Sequence, residues 1–282
     1  MSEQTLLTVP GFSPGLSSSR MLDQIRPFLP RQVSAQGVDL VDVVRRASSS
    51  TASGTDALAE GLASEMDARG LTHAIIVAEG VSATAALRLA ALRPELVKHL
   101  VLCAPYGYAQ PLTGSWETRE TVAARVRDLY LGDDATSSAA LEVLCGAASL
   151  VPTGLATRYR ESARSEQVAQ AVGLLADWME DGDLHPMESV DGDRVRRSKV
   201  PVNLVWGRDD RAAGLDAAFY LNRRLKDVQL RIFGDLGHLV LEQGGDRVSR
   251  HVGAVVAQVI SRDDGDQAPG HQTPADKVGS PA

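Results

Sequence analysis

Apolar residues in this chain follow two rhythms. Short, largely continuous runs occupy residues 5–9 (TLLTV), 74–78 (AIIVA), 100–104 (LVLCA), 202–206 (VNLVW) and 230–233 (LRIF). Runs of this length that do not alternate predict strands buried on both faces, as in a parallel sheet covered by helices. Between them, apolar positions recur at helical spacing. Leu58, Leu62 and Met66 share one face, with Thr55 as a candidate N-cap and Gly70 just past the end. Residues 83–92 are apolar nearly all round, which predicts a buried central helix. Val248, Val252, Val255, Val256 and Val259 give the inner face of a last helix. Strand and helix in alternation predict an α/β fold with a mostly parallel, doubly wound sheet.

From residue 105 to about 197 the alternation stops. Helical patterns run through 118–130, 138–148 and 166–180, separated by Gly, Asp and Pro. This stretch reads as an inserted helical cap over the carboxyl ends of the strands, where α/β sheets bind ligands. The expected organisation is a core of residues 1–105 and 198–261, a cap (lid) of residues 106–197, and a tail of residues 262–282. The tail is rich in Asp, Gly and Pro without an apolar period, which predicts disorder. Trp116, Tyr130, Tyr159 and Trp178 fall in the cap and are read as its core.

Composition narrows the picture. With 282 residues, 44% of them hydrophobic, the chain can bury one large core. A net charge of −7 disfavours nucleic acid, whose phosphates require a basic face. No apolar run reaches the length of a membrane span, and the first residues lack a secretory pattern, so a cytoplasmic location is expected. Cys103 and Cys145 sit among apolar neighbours and are read as buried, reduced thiols. No two histidines stand at ligand spacing, so no metal is expected; the expectation includes no cofactor. His73, His99, His185, His251 and His271 are assigned to the surface. A small-molecule substrate, and a monomer or homodimer, complete the expectation.

Three segments carry candidate chemistry. Residues 77–105, VAEGVSATAALRLAALRPELVKHLVLCAP, resemble the elbow strand, central helix and following strand of α/β hydrolases. In that family the strand ends in a small-x-nucleophile-x-small turn with a strained backbone. Ala78 and Ser82 fill the small positions, so the resemblance puts Gly80 where the nucleophilic serine would stand. Glu79 precedes it, where a polar residue is common, and is read as structural. A rival register takes residues 80–84 as G-x-S-x-T and makes Ser82 the nucleophile. That register shortens the helix by two residues and turns it by about 200°.

The second segment is VPVNLVWGRDDR, residues 200–211, similar to the family's strand that delivers the acid. Asp210 takes that place, with Asp209 facing solvent or holding the turn. The third is FGDLGHLVLEQ, residues 233–243, similar to the family's G-H loop, with His238 as the base. Elbow, acid, histidine is the family's chain order. The first strand runs into Val9-Pro10-Gly11-Phe12, similar to the family's H-G-x loop with proline for histidine. The resemblance implies an oxyanion hole from the backbone N–H groups of Phe12 and Val81. It spans roughly residues 5–260 and is weakest at 32–53, where the family's D-x-x-G-x-G glycines are missing.

Glycine carries no side chain, so no acyl-enzyme can form at position 80. A positioned base, its orienting carboxylate and two backbone donors still suffice for chemistry that passes through an oxyanion. The expectation is therefore a cofactor-independent lyase, cyclase or C–C bond-forming enzyme. Its substrate would be a small, carbonyl-containing, polyketide-like compound of specialised metabolism. Two alternatives stand beside it: a hydrolase using activated water or Ser82, and a non-catalytic binding protein. The presence of both Asp210 and His238 argues against the last.

Overall fold

All five apolar runs are strands of one sheet, and a sixth strand extends one edge. The computed structural model describes residues 4–52, 54–108, 118–147, 150–184, 197 and 199–266. The strands are β1 (Gln4–Val9), β2 (Val33–Gly37), β3 (Ala74–Glu79), β4 (Val97–Cys103), β5 (Val202–Gly207) and β6 (Val228–Phe233). They are ordered β2-β1-β3-β4-β5-β6, and every neighbouring pair is parallel. β3 and β5 are buried along their whole length, which is why they read as largely continuous apolar runs. β6, at one edge, alternates exposed and half-buried positions over most of its length. β2, at the other edge, has only half-buried residues and the sequence VSAQG, so the apolar pattern gave no sign of it.

Helices α1 (Ser19–Ile25), α2 (Leu40–Ala47), α3 (Gly54–Ala68) and α4 (Gly80–Leu92) lie between the first four strands. Between β4 and β5 come α5 (Arg119–Leu131), α6 (Asp134–Cys145), α7 (Leu155–Ser162) and α8 (Glu166–Glu180). α9 (Leu215–Arg224) and α10 (Val240–Asp266) complete the described chain, α10 being kinked at Gly245. The fold is α/β with helices around a parallel sheet, and α4 starts at the carboxyl end of β3, beside β1. That is where the strand order reverses, and it is the place where open α/β sheets hold ligands.

Several boundaries differ from expectation for local reasons. Thr55 lies inside α3 rather than capping it, and its N–H donates to the Asp183 carbonyl after α8. α6 begins four residues before the periodic pattern, because the Asp133 carboxylate accepts the Thr136 N–H as an N-cap. α7 lies outside the helical patterns that the sequence predicts. Its eight residues, LATRYRES, offer only a short apolar face. α10 runs through Asp266, past the boundary assigned to the tail; residues 267–282 lie outside the described residues, as do Trp116, His185 and His271. His99 is buried rather than exposed, with its Nε2 paired to the Asn203 side chain at 2.7 Å. His251 is half-buried, edge-on to Phe233, while His73 is exposed as expected. Both cysteines are buried free thiols. Among the described residues, no helix is long and apolar enough to cross a membrane.

Candidate active site

The chain leaves β3 at Glu79 and enters α4 at Gly80 without a linking loop, which forces a sharp reversal. Gly80 takes it with φ +55, a backbone shape that side-chain-bearing residues adopt only under strain. A Cβ built on Gly80 would stand 3.5 Å from His238 Nε2 and 3.8 Å from the Gly11 Cα. The space in front of Gly80 is therefore bounded by the histidine ring and by the loop after β1. Ser82 lies in the first turn of α4, buried, and its hydroxyl donates to the Pro10 carbonyl at 2.6 Å. The left-handed backbone thus falls at Gly80, and the Ser82 hydroxyl ties α4 to the loop after β1.

Asp210 follows β5 and is completely buried. One carboxylate oxygen accepts the N–H groups of Ala212 and Ala213, at 2.9 and 2.8 Å. The Trp206 indole N–H donates to the Ala213 carbonyl at 2.5 Å, pinning the same turn. The other Asp210 oxygen faces His238 Nδ1 at 2.9 Å. Arg208 and Asp209 pair with each other at the rim, so Asp209 stays out of the buried cluster. The His238 N–H donates to the Leu144 carbonyl at the end of α6, which anchors the histidine loop to the helical insert. With Nδ1 engaged by a carboxylate, Nε2 is left to face Gly80.

Burial alone would lower the His238 pKa. The Asp210 charge and its hydrogen bond, with Glu79 adding to them, outweigh that and hold it above the ordinary value. Glu79, read from the sequence as structural, is electrostatically coupled to His238. It is buried directly before Gly80, and its carboxylate accepts the Leu241 N–H at the start of α10 at 3.4 Å. Burial pushes its pKa from 4.5 up to about 7; the His238 charge opposes the rise, while Glu242 and Asp210 add to it. Glu242 itself is held by Arg20 across α1 and α10, with both oxygens on Nε at 2.6 and 2.8 Å.

These shifts make a stability prediction. Glu79 holds its proton more tightly folded than unfolded, so its contribution to stability is fully present below pH 4.5 and fades as pH rises through about 7. His238, raised above 6.5, acts in the same direction. Glu79→Gln is expected to flatten the decline. Its stability relative to the parent should grow between pH 5 and pH 8 by on the order of 3 kcal/mol, measured by urea unfolding at each pH. A difference independent of pH would show that Glu79 is ionised throughout.

Phe12 and Val81 each adjoin the place where the loop after β1 meets the elbow, Gly11 lying 3.8 Å from a Cβ on Gly80. Val81 is the second residue of α4, where helix N–H groups have no intrahelical acceptor. Phe12 follows Gly11 in the loop beside the elbow. Two tyrosines assigned simply to the core of the insert prove to touch this loop. Tyr159 donates to the Phe12 carbonyl at 2.5 Å and Tyr130 to the Ser13 carbonyl at 2.6 Å. Trp178 is buried within the insert, as expected.

No protein-family model matches the sequence. The chain is similar to the uncharacterized hydrolase YugF of Bacillus subtilis (strain 168), at 25% identity over 88% of both chains. It is also similar to a 2-hydroxymuconate semialdehyde hydrolase of Pseudomonas putida, at 27% identity over 68% of this chain and 66% of that one. Among solved structures, a meta-cleavage product hydrolase (CumD) mutant from Pseudomonas fluorescens IP01, complexed with acetates, superposes with a TM-score of 0.72 at 19% identity. That match covers 93% of this chain and 92% of the other. A 2-hydroxy-6-oxo-6-phenylhexa-2,4-dienoate hydrolase from a Rhodococcus strain gives 0.69 at 18% identity over 92% and 91%. Superposition over more than nine-tenths of the chain shows that it has the α/β-hydrolase fold.

Proposed function

We propose that this chain is a cofactor-independent enzyme of the hydrolase class that works without an acyl-serine. The observation that carries the reading is the free face of His238: Nε2 lies 3.5 Å from where a Gly80 side chain would begin, with Nδ1 on buried Asp210. Glycine puts no hydroxyl at that spot and leaves it to a water or a substrate atom. In the reaction, His238 removes a proton from water as its oxygen bonds to a substrate carbonyl carbon. The carbonyl electron pair moves onto oxygen, which the N–H groups of Phe12 and Val81 receive. The imidazolium, steadied by Asp210, then returns the proton to the leaving group as the adduct collapses. Ser82 is a poor alternative nucleophile, because its hydroxyl is buried and committed to Pro10.

Hydrolysis is preferred over the lyase or cyclase chemistry expected from the sequence because the similar curated proteins carry hydrolase names. Two of those names specify semialdehyde or oxo acids, which supports a small carbonyl compound as substrate. Non-hydrolytic proton abstraction beside a carbonyl remains a second reading, favoured by the same open face of His238, since one base serves either reaction.

The test is turnover of a panel of oxo acids, diketones and activated esters in ¹⁸O-labelled water. Water attack puts ¹⁸O in the carbonyl product. Abstraction from carbon leaves the product unlabelled and exchanges a substrate hydrogen for deuterium in D₂O. His238→Ala should cost about 10²–10⁴-fold in kcat while the protein stays folded. Full activity in that variant would remove the base from the mechanism.

A further inference from the structure

All four carbonyls of the loop of residues 10–13 are engaged, three of them by side chains from other elements. Ser82 of α4 takes Pro10, the Ser13 N–H takes Gly11, Tyr159 of α7 takes Phe12, and Tyr130 of α5 takes Ser13 together with the Leu16 N–H. A trans peptide points its N–H opposite its carbonyl. Fixing the Gly11 carbonyl therefore fixes the direction of the Phe12 N–H, and fixing the next peptide on either side prevents that plane from rotating. The two phenols come from different helices of the insert, yet reach successive carbonyls of this one loop. Both side chains are buried, and their rings meet edge-to-face at 5.0 Å and 89°, so neither hydroxyl can swing away without moving the other ring.

We propose that Tyr130 and Tyr159 are positioning residues, a pair of phenols through which α5 and α7 set the Phe12 N–H that receives the substrate oxyanion. The proposal rests on the reading of Phe12 and Val81 as the oxyanion donors. It makes the helical insert part of the anion site as well as its cover. A core role alone would ask only that each buried phenol find some acceptor. Here the acceptors adjoin the donor that chemistry needs, and without the phenols the Phe12 carbonyl would be buried and unpaired.

The experiment uses ¹⁵N-labelled full chain and acetate as the anionic probe, titrated at pH 7 while the amide resonances of Phe12 and Val81 are followed. The wild type should show saturable shifts at both. Tyr159→Phe keeps the ring and removes the hydroxyl; its acetate dissociation constant should rise about three- to ten-fold, as for loss of one positioned hydrogen bond. Tyr130→Phe should rise less, because Ser13 keeps its bond from Leu16, and this milder variant carries the test if Tyr159→Phe fails to fold. Ser137→Ala is the control: it deletes another buried hydroxyl–carbonyl bond, to Leu129 between α6 and α5, without touching the loop. It should lower Tm and leave acetate binding unchanged. If the tyrosine variants lose only Tm and bind acetate like the wild type, the positioning role is overturned. If acetate moves neither amide in the wild type, the oxyanion reading itself fails, and the proposal falls with it.

Discussion

Gly80→Ser is expected to convert a protein that a fluorophosphonate leaves untouched into one that it modifies stoichiometrically at a single site. The wild type offers no oxygen at the elbow, and its nearby hydroxyl, Ser82, is buried and bonded to Pro10. A Cβ at position 80 meets nothing closer than His238 Nε2 at 3.5 Å, an ordinary contact. A hydroxyl one bond further out can therefore reach hydrogen-bonding distance of that nitrogen. The oxygen would attack phosphorus, fluoride would leave, and His238 would take the proton, as in other triads. The strained backbone is already built by the glycine, and placing a side chain on φ +55 should cost about 1–3 kcal/mol. Intact mass and peptide mapping read the result. Adding His238→Ala to Gly80→Ser should abolish the labelling. Labelling of the wild type at Ser82, or a folded Gly80→Ser protein that resists the probe, would break the assignment of the elbow.

What could be read from the sequence was whatever local pattern determines. β3, β5 and the second half of β4 read as largely apolar runs because both faces of the central sheet are covered, and covered strands need no polar alternation. The sites at Gly80, Asp210 and His238 were legible because each sits where a strand ends, and strand ends could be located. That Asp210 and His238 are neighbours follows from the pairing of β5 with β6, while the 2.9 Å between them is set by the Asp210 turn and by the Leu144 anchor of the histidine loop. Illegible features depend on partners remote in sequence. Tyr130 and Tyr159 bond to residues 117 and 147 positions away, and nothing in α5 or α7 marks them out from other core aromatics. His99 looked like a surface histidine because its acceptor, Asn203, is supplied by the neighbouring strand β5. The burial of Glu79 could be read from the AIIVA run it ends, but Glu242 and Asp210, which add to the rise in its pKa, are remote in sequence. Reaction type is a different kind of gap. One base and two backbone donors serve a water or a carbon acid equally well, so the geometry that was legible could not rank them.

Gly207→Ala should show how tightly acid and base are coupled to the sheet. Gly207 ends β5 next to the turn that carries Asp210, and the loop carrying His238 crosses directly over it. A Cβ there would lie 2.2 Å from the Gly237 carbonyl oxygen and 2.3 Å from that of Leu236. Neither neighbour is a flexible side-chain end. Both are backbone, and the Asp209 N–H donates to the same Leu236 carbonyl at 2.9 Å. The loop must therefore move outward by about 1 Å to restore ordinary contact distances, roughly 3.4 Å or more between carbon and oxygen. It is held on its far side by the His238 N–H bond to Leu144 at 2.7 Å, so it cannot move freely. Overpacking of this kind should cost about 3 kcal/mol, or a Tm lower by roughly 6–12 °C for a domain of this size. The more specific consequence is electrostatic. Moving the loop stretches the Asp210–His238 bond, and with it goes the interaction that holds the His238 pKa above its ordinary value against burial. The His238 ring should then titrate at lower pH in Gly207→Ala than in the parent, as followed by NMR of the imidazole. A variant with unchanged Tm and an unchanged His238 titration would mean that the histidine loop is not clamped against β5.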